Sequence, residues 1–453
     1  MIVVRNGKLL INDDIIEASL IIEEHIIKAM VKDEKPFIHK AEKIIDAHGL
    51  PIIPGGIDIH AHIYDPDYTH HEDWETGTKA AVFGGITTVY DMPLRMFVDN
   101  IDKLMIKVKE GLRHSYTNFA IHAGMIRDDN YKAIQTLAAN GVIGFKIFTL
   151  KPWRASDRAL LEILKMIKEV NGVAIIHAED NVLIDFGLSK VRHRHDPLAH
   201  HEARSDFAEA AAIAKVGFYG KTVGAHVHIA HVTSRIGSDI IRFLKEREIA
   251  ITAETCPQYL YFTRDDVEKY GNYLKIAPSL KTRSDVNSLW EAIKTGVIDA
   301  IASDHAPSPR SEKEVDVWKA WGGIPVIELI IPFTFTFGVK SGRISFRKFI
   351  DVVSTNPAKI MKIYPKKGSI AIGSDADIVV LDINDCRKID ASKLHHKVDW
   401  CPFEGVEMCG WPLHVLVYGN IVVENKELVA KPGIGEYLGE YYKKLYERTM
   451  LSR

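Results

Sequence analysis

The chain has 453 residues, 46% hydrophobic and 26% charged, the composition of an ordinary globular protein. Its net charge of −2 leaves no basic surplus to suggest nucleic acid or an anionic membrane as partner. That length suggests two or three domains, although one (β/α)8 barrel alone takes about 250 residues or more.

The N-terminus shows no signal-peptide core, and no apolar run reaches ~18 residues. The four cysteines, Cys256, Cys386, Cys401 and Cys409, lack metal-knuckle spacing. Reduced thiols and a cytoplasmic setting are therefore expected.

Residues 1–54 read as short strands: Ile2–Arg5, Leu9–Ile11, Ala18–Ile22 and Ala41–Ala47. From Gly56 to about residue 355 the pattern becomes strand, loop, helix, repeated. Strands are expected at 57–62, 86–91, 119–124, 143–148, 173–177, 226–231, 249–254 and 298–303. Amphipathic segments lie between them, at 158–169 and 204–216 among others. The spacing suits parallel strands joined by crossover helices. No Gly-x-Gly-x-x-Gly fingerprint follows any strand, so eight strands fit a closed barrel better than an open sheet. β character returns after Asn356-Pro357-Ala358, in Ile378–Asp382 and Val415–Val423.

The fold class expected is α/β: a TIM-like (β/α)8 barrel (55–358) beside a small β-sandwich domain built from both chain ends (1–54 and 359–435). A charged helical tail follows at 436–453. The apolar stretch Leu329–Phe333, core or interface, suggests a homo-oligomer, a dimer or tetramer.

The chemistry-bearing residues fall at the C-terminal ends of the expected barrel strands, where barrel enzymes keep their active sites. The first strand, Ile57-Asp58-Ile59-His60-Ala61-His62, puts His60 and His62 on one face, because residues i and i+2 of a strand project together. Alone, such a pair is ordinarily two half-exposed histidines. The fourth strand carries Lys146 inside an apolar run, ordinarily a snorkelling or paired lysine. The fifth ends at His177, the sixth at His231 and the eighth at Asp304. His177 and His231 could each be core histidines, and Asp304 a helix cap. Six such residues converging on one mouth make coincidence a poor account. His228 is taken as a supporting residue, and His226 is given no role. His193, His195, His200 and His201 read as a solvated segment rather than a further metal site.

These motifs resemble the cyclic amidohydrolases of the metal-dependent amidohydrolase superfamily: dihydroorotases, allantoinases and hydantoinases. The resemblance spans nearly the whole chain. It rests on Asp58–His62, Gly144-Phe145-Lys146, His177-Ala178-Glu179, His228–His231, Glu254–Pro257 and Ser303–Pro307. It implies two zinc ions: His60, His62 and Asp304 on one, His177 and His231 on the other. Lys146, carboxylated on its amine, would bridge them, since a carbamate offers anionic oxygens and an ammonium does not. Two metals about 4 Å apart could share a hydroxide. Asp304 would carry its proton to the leaving nitrogen.

The same resemblance orders the substrates. Dihydroorotases grip a carboxylate with Arg, Asn and His where this chain has Tyr64, Leu94 and Ser308. The segments Asp91–Leu94 and Ala320–Ile324 resemble allantoinases, although Arg95 replaces an asparagine. Hydantoinases carry a tyrosine where this chain has Lys151. Allantoin, a neutral cyclic ureide, is thus the first expectation, with backbone groups near Ser279 and Gly323 binding its ureido group. Dihydroorotase, hydantoinase or dihydropyrimidinase, and a non-catalytic scaffold follow in that order. The substrate-contact candidates are Tyr64, Leu94, Arg95, Ser279, Ser308 and Gly323.

Overall fold

Alternating apolar residues near the N-terminus pair into the first half of a sheet. The computed structural model describes residues 1–11 and 14–452. Strands β1 (Ile2–Ile11), β2 (Asp14–Glu23) and β3 (Ile26–Val31) form an antiparallel meander, and β4 (Lys43–Asp46) and β5 (Pro51–Pro54) pair parallel to β1. β1 runs unbroken through the position expected to be a turn, with a register shift between Val4 and Gly7. Glycine at that irregularity leaves room for Ile52, since a Cβ on Gly7 would lie 2.1 Å from Ile52 Cδ1 and force that side chain to move. β3 was not expected from the sequence; Lys28 in its middle interrupts the apolar signal.

The barrel strands follow: β6 (Gly56–Ala61), β7 (Ile86–Asp91), β8 (Asn118–Ile121), β9 (Gly144–Phe148), β10 (Val173–His177), β11 (Val227–Ile229), β12 (Ile251–Thr255) and β13 (Ala300–Ile301). β6 to β8 pair in parallel, as do β9 to β13. Parallel bridges Ala123–Phe145 and Ala61–His305 join the two arcs into a closed (β/α)8 barrel. Nearly every strand residue is buried, as strands covered on both faces must be. The helices between begin at side-chain caps, such as Ser156 before Asp157–Glu169 and Ser205 before Asp206–Val223.

The chain then returns to the first sheet through β14 (Ile378–Lys388), β15 (Glu407–Val417), β16 (Asn420–Glu424) and β17 (Glu427–Leu428). β14 lies antiparallel to β5, with Val380 opposite Ile52 and Ile378 opposite Pro54, so one nine-stranded sheet contains both ends of the chain. Its own core collects Val4, Leu20, Ile22, Ile27, Ile378, Val380 and Leu416.

Two expectations are corrected here. Cys386 and Cys409 stand opposite each other on β14 and β15 and form a disulfide, so only Cys256 and Cys401 are free thiols. Leu329, Ile330, Ile331 and Phe333 are 0–1% exposed within the single chain. They are core, and no interface can be read from them. Among the described residues, no helix is long and apolar enough to cross a membrane.

The tail forms a helix, Gly439–Leu451, with a structural role the charge pattern hid. Tyr442 is 2% exposed; its hydroxyl donates to Met361 O at 2.7 Å and lies 2.5 Å from Tyr90 Oη. Leu438 and Tyr442 share a buried cluster with Ile175 and Ala302. Ile175 sits two residues before His177 on the same face of β10, and Ala302 two residues before Asp304 in the chain, so the tail packs beneath the functional end. Tyr442→Ala is expected to destabilise the protein by about 3–5 kcal/mol, the cost of a large buried aromatic, read as a lowered urea midpoint.

Candidate functional site

The site is assembled first by strand register. The buried Asp58 carboxylate accepts from His60 N at 3.1 Å, Ser303 N at 3.1 Å and Ser303 Oγ at 2.5 Å. Asp304 N donates to His60 O at 2.8 Å and His62 N to His305 O at 2.9 Å. These bonds bolt the first barrel strand to the last and bring His60, His62 and Asp304 together. His60 and His62 Nε2 lie 3.4 and 3.3 Å from Asp304 Oδ1, and the ligand atoms of all three lie within 4.8 Å of one another.

Each of three rings is held by an oxygen at one nitrogen, and the other nitrogen of His60 and of His62 faces Asp304. His60 Nδ1 meets Glu254 Oε1 at 2.5 Å, His62 Nδ1 meets Met92 O at 2.6 Å, and His177 Nε2 meets Glu179 Oε2 at 2.7 Å. A histidine held by an oxygen on one side presents a lone pair on the other, the arrangement metal-ligating histidines adopt. His231 packs 4.6 Å from His177 and 5.3 Å from His60, ring centre to ring centre, and its Nδ1 is buried without a partner. Lys146 Nζ lies 3.5 Å from His60 Nε2. Thus His60, His62, Lys146, His177, His231 and Asp304 meet in one place, and this donor set suits divalent metal.

Electrostatics agree with that use. Burial lowers the pKa of His60, His177 and His231, keeping the imidazoles neutral. Burial also brings the Lys146 amine down to about 8, against the pull of Asp304 and Glu254. Burial alone would raise Asp304, but His60, His62 and Lys146 outweigh it and hold the carboxyl below its ordinary value. The backbone is in the left-handed region at two of these residues, φ +39° at His231 and +48° at Asp304, a conformation uncommon for residues other than glycine.

These residues line one side of a cavity of about 570 Å³, a size suited to a small organic ligand. Leu94, Phe97, Phe148 and Trp153 make an apolar wall beside Lys146, while Arg95, Trp321 and Gly322 line another part and Arg204, His200 and Lys275 a third. Among the described residues, no hydroxyl or amide side chain lines it.

Of the expected substrate contacts, Leu94 and Arg95 lie on the cavity. Arg95 is sandwiched between Tyr68 and Trp321, its guanidinium carbon 4.7 Å from each ring centre. Tyr64, Ser279, Ser308 and Gly323 do not line it. Tyr64 is buried against His62 and Trp321. Ser279 Oγ donates to Arg204 O at 3.0 Å, Ser308 is fully buried with its carbonyl held by Trp400, and Gly323 N donates to Lys275 O at 3.1 Å. Nor are all four loop histidines solvated. His193 and His195 are exposed, but His200 and His201 are buried, and His200 reaches the cavity with its Nε2 2.8 Å from Ile276 O.

Glu254 and Glu179 were quoted in motifs without a role. Glu254 binds both His60 and His228, at 2.5 and 3.2 Å, which accounts for His228 as a supporting residue. Glu179 joins His177 to Arg204. Glu254→Gln is expected to weaken metal retention ~10–100-fold, as loss of a partner behind a metal-binding histidine does, measured by chelator competition.

The chain matches the amidohydrolase family profile over residues 52–422. It is 31% identical to an L-hydantoinase of Paenarthrobacter aurescens over 449 residues, covering 96% of this chain and 97% of that one. It is 29% identical to an allantoinase of Bacillus licheniformis, covering 96% and 99%. The solved structure of the L-hydantoinase (dihydropyrimidinase) from Arthrobacter aurescens superposes with a TM-score of 0.92 at 31% identity, over 96% of this chain and 99% of that one.

Proposed function

The chain belongs to the amidohydrolase family, as a hydrolase of C–N bonds in cyclic amides, and from that premise we propose that its substrate is a cyclic ureide bearing an apolar substituent, as substituted hydantoins do. The observation that carries this is the wall of Leu94, Phe97, Phe148 and Trp153 next to Lys146. An aromatic ring substituent would bury there at a gain of about 1.5–3 kcal/mol. Allantoin's ureido group would meet cationic donors along the lining, Arg95, Arg204 and Lys275, but, among the described residues, no hydroxyl or amide side chain, and it has no apolar surface to bury against the wall. The allantoin expectation leaned on Asp91–Leu94 and the Ala320–Ile324 loop, of which Leu94, Trp321 and Gly322 reach the cavity. The similarity to an L-hydantoinase supports the same reading.

The family is metal-dependent, and we propose a zinc pair held by His60, His62 and Asp304 on one side and His177 and His231 on the other. Lys146 would bridge the pair as a carbamate. Carbamate formation needs the free amine: its nitrogen adds to CO₂ and releases a proton. Burial brings Lys146 down to about 8, so far more of the amine is unprotonated at neutral pH than for an exposed lysine, about a tenth of it. When bound, the metal pair activates water and polarises the ring carbonyl. Asp304, held as a carboxylate by its cationic surroundings, takes a proton from the attacking water at Oδ1 or Oδ2 and returns it to the leaving ring nitrogen. The apolar wall keeps bulk water from the substituent side.

A second reading rests on Arg95, which has a guanidinium at the cavity mouth. It would suit a ring carboxylate, as in dihydroorotate. The zinc-loaded protein should therefore be assayed on 5-benzylhydantoin, allantoin and dihydroorotate. The expected result is kcat/KM for benzylhydantoin about 10–100-fold above allantoin, the worth of a buried aromatic group. Preference for allantoin would sink the apolar-substituent reading. Preference for dihydroorotate, abolished in Arg95→Ala, would transfer the assignment to the second reading.

A further inference from the structure

A second group of metal-type ligands stands behind Trp321, outside the cavity lining and apart from the six residues above. His70, His71 and Glu312 bring their ligand atoms within 4.8 Å of one another. Glu312 Oε1 lies 2.9 Å from His71 Nε2 and 3.5 Å from His70 Nε2. Tetrahedral zinc with N and O ligands requires neighbouring ligand atoms about 3.3 Å apart. His62 and Asp304 in the catalytic group, at 3.3 Å, show the same spacing. We propose that His70, His71 and Glu312 form a separate mononuclear zinc-class site, whose ion fastens the loop after β6 to the segment carrying Trp321.

The environment of each ligand suits that role. His71 is fully buried, and burial lowers its pKa, so it offers a neutral imidazole. Glu312 is its only hydrogen-bonding side-chain partner, since Nδ1 is buried with none. When a metal takes Nε2, the ring proton moves to Nδ1. Tyr64, Tyr68 and Trp321 stand edge to face around the ring, at centroid distances of 5.3, 5.3 and 4.6 Å, which gives an N–H π faces to meet. His70 is exposed and stands 4.5 Å from the His71 ring, edge to face. It can swing its nitrogen onto an ion arriving from solvent. Three protein ligands leave the fourth position to water.

The site reaches the cavity through Glu312. Its backbone carbonyl accepts from Trp321 N at 2.9 Å, and Trp321 with Tyr68 grips Arg95. An ion between His70, His71 and Glu312 therefore ties both rings of that grip to a common anchor. The consequence is a rim stiffened by zinc without any contact between this ion and substrate.

The test is equilibrium dialysis of the holoprotein against graded Zn²⁺, with bound metal counted by mass spectrometry. His70→Ala and Glu312→Gln are the variants, because neither empties the buried His71 position. The wild type is expected to bind about one zinc per chain more than either variant, with a higher melting temperature at saturating zinc. Equal zinc uptake and equal zinc-induced stabilisation in all three proteins would overturn the proposal. The readout is a difference between wild type and variants, so it stands whatever the catalytic residues hold and whichever ring is the substrate. Hydrolysis assays on the same samples report separately on the catalytic centre.

Discussion

Lys146→Ala is expected to lower kcat/KM by ~10³-fold or more, the several kcal/mol that metal-borne charge stabilisation supplies, and to release one or both metals. The reason is charge. Among the described residues, Asp304 is the only acidic one lining the cavity, while Glu254 and Glu179 are turned to the backs of His60 and His177. Two dications held by four imidazoles and a single carboxylate would repel each other strongly. A carbamate on Lys146, 1% exposed and 3.5 Å from His60 Nε2, would supply the missing anion. Added acetate or propionate should restore part of the activity by filling the space the side chain leaves. A Lys146→Ala protein with full metal content and full activity would show that the bridge lies elsewhere.

Asp304→Asn is expected to lower kcat by ~10²–10⁴-fold, the usual worth of a positioned acid–base group, while fold and much of the metal survive. Its backbone makes the substitution clean. φ at position 304 is +48°, and asparagine is among the residues that best tolerate that region. The amide keeps an oxygen that can ligate but offers no site to accept and return a proton. Asp304→Ala would confuse this test, since it adds backbone strain and deletes a ligand together. A kcat within about tenfold of wild type in Asp304→Asn would assign the proton transfer to another group.

The barrel was legible because its strands are short apolar runs with polar residues gathered at one end. β7 and β10 were read to the residue, and the other strands to within three. β3 was missed because Lys28 breaks its pattern while tertiary pairing with β2 overrides it. The six site residues were legible for a similar reason: period-2 alternation and strand ends place them without knowledge of loops. Glu254 was not, because its role depends on which strand lies beside β11, and that register is absent from local sequence. Phe148 could have been found, two residues after Lys146 on the same strand face. Trp153, His200 and Lys275 could not, since loops carry them to the cavity. The pairing of Cys386 with Cys409 is likewise a matter of register, across 23 residues of chain.

The antiparallel contact between β5 and β14 sets an order of events during synthesis. Pro54 emerges from the ribosome roughly 320 residues before its partner Ile378. At about 5–20 residues per second, that is a delay of roughly 16–65 s. Throughout it, β1 to β3 can pair among themselves, but β5 presents an open strand edge to solvent and to other nascent chains. The barrel must therefore be made before the sheet that its first strand grows out of can be closed. Fragments ending before residue 378 are expected to aggregate rather than to persist as half-sheets, and the last helix, seated on the barrel floor, arrives later still.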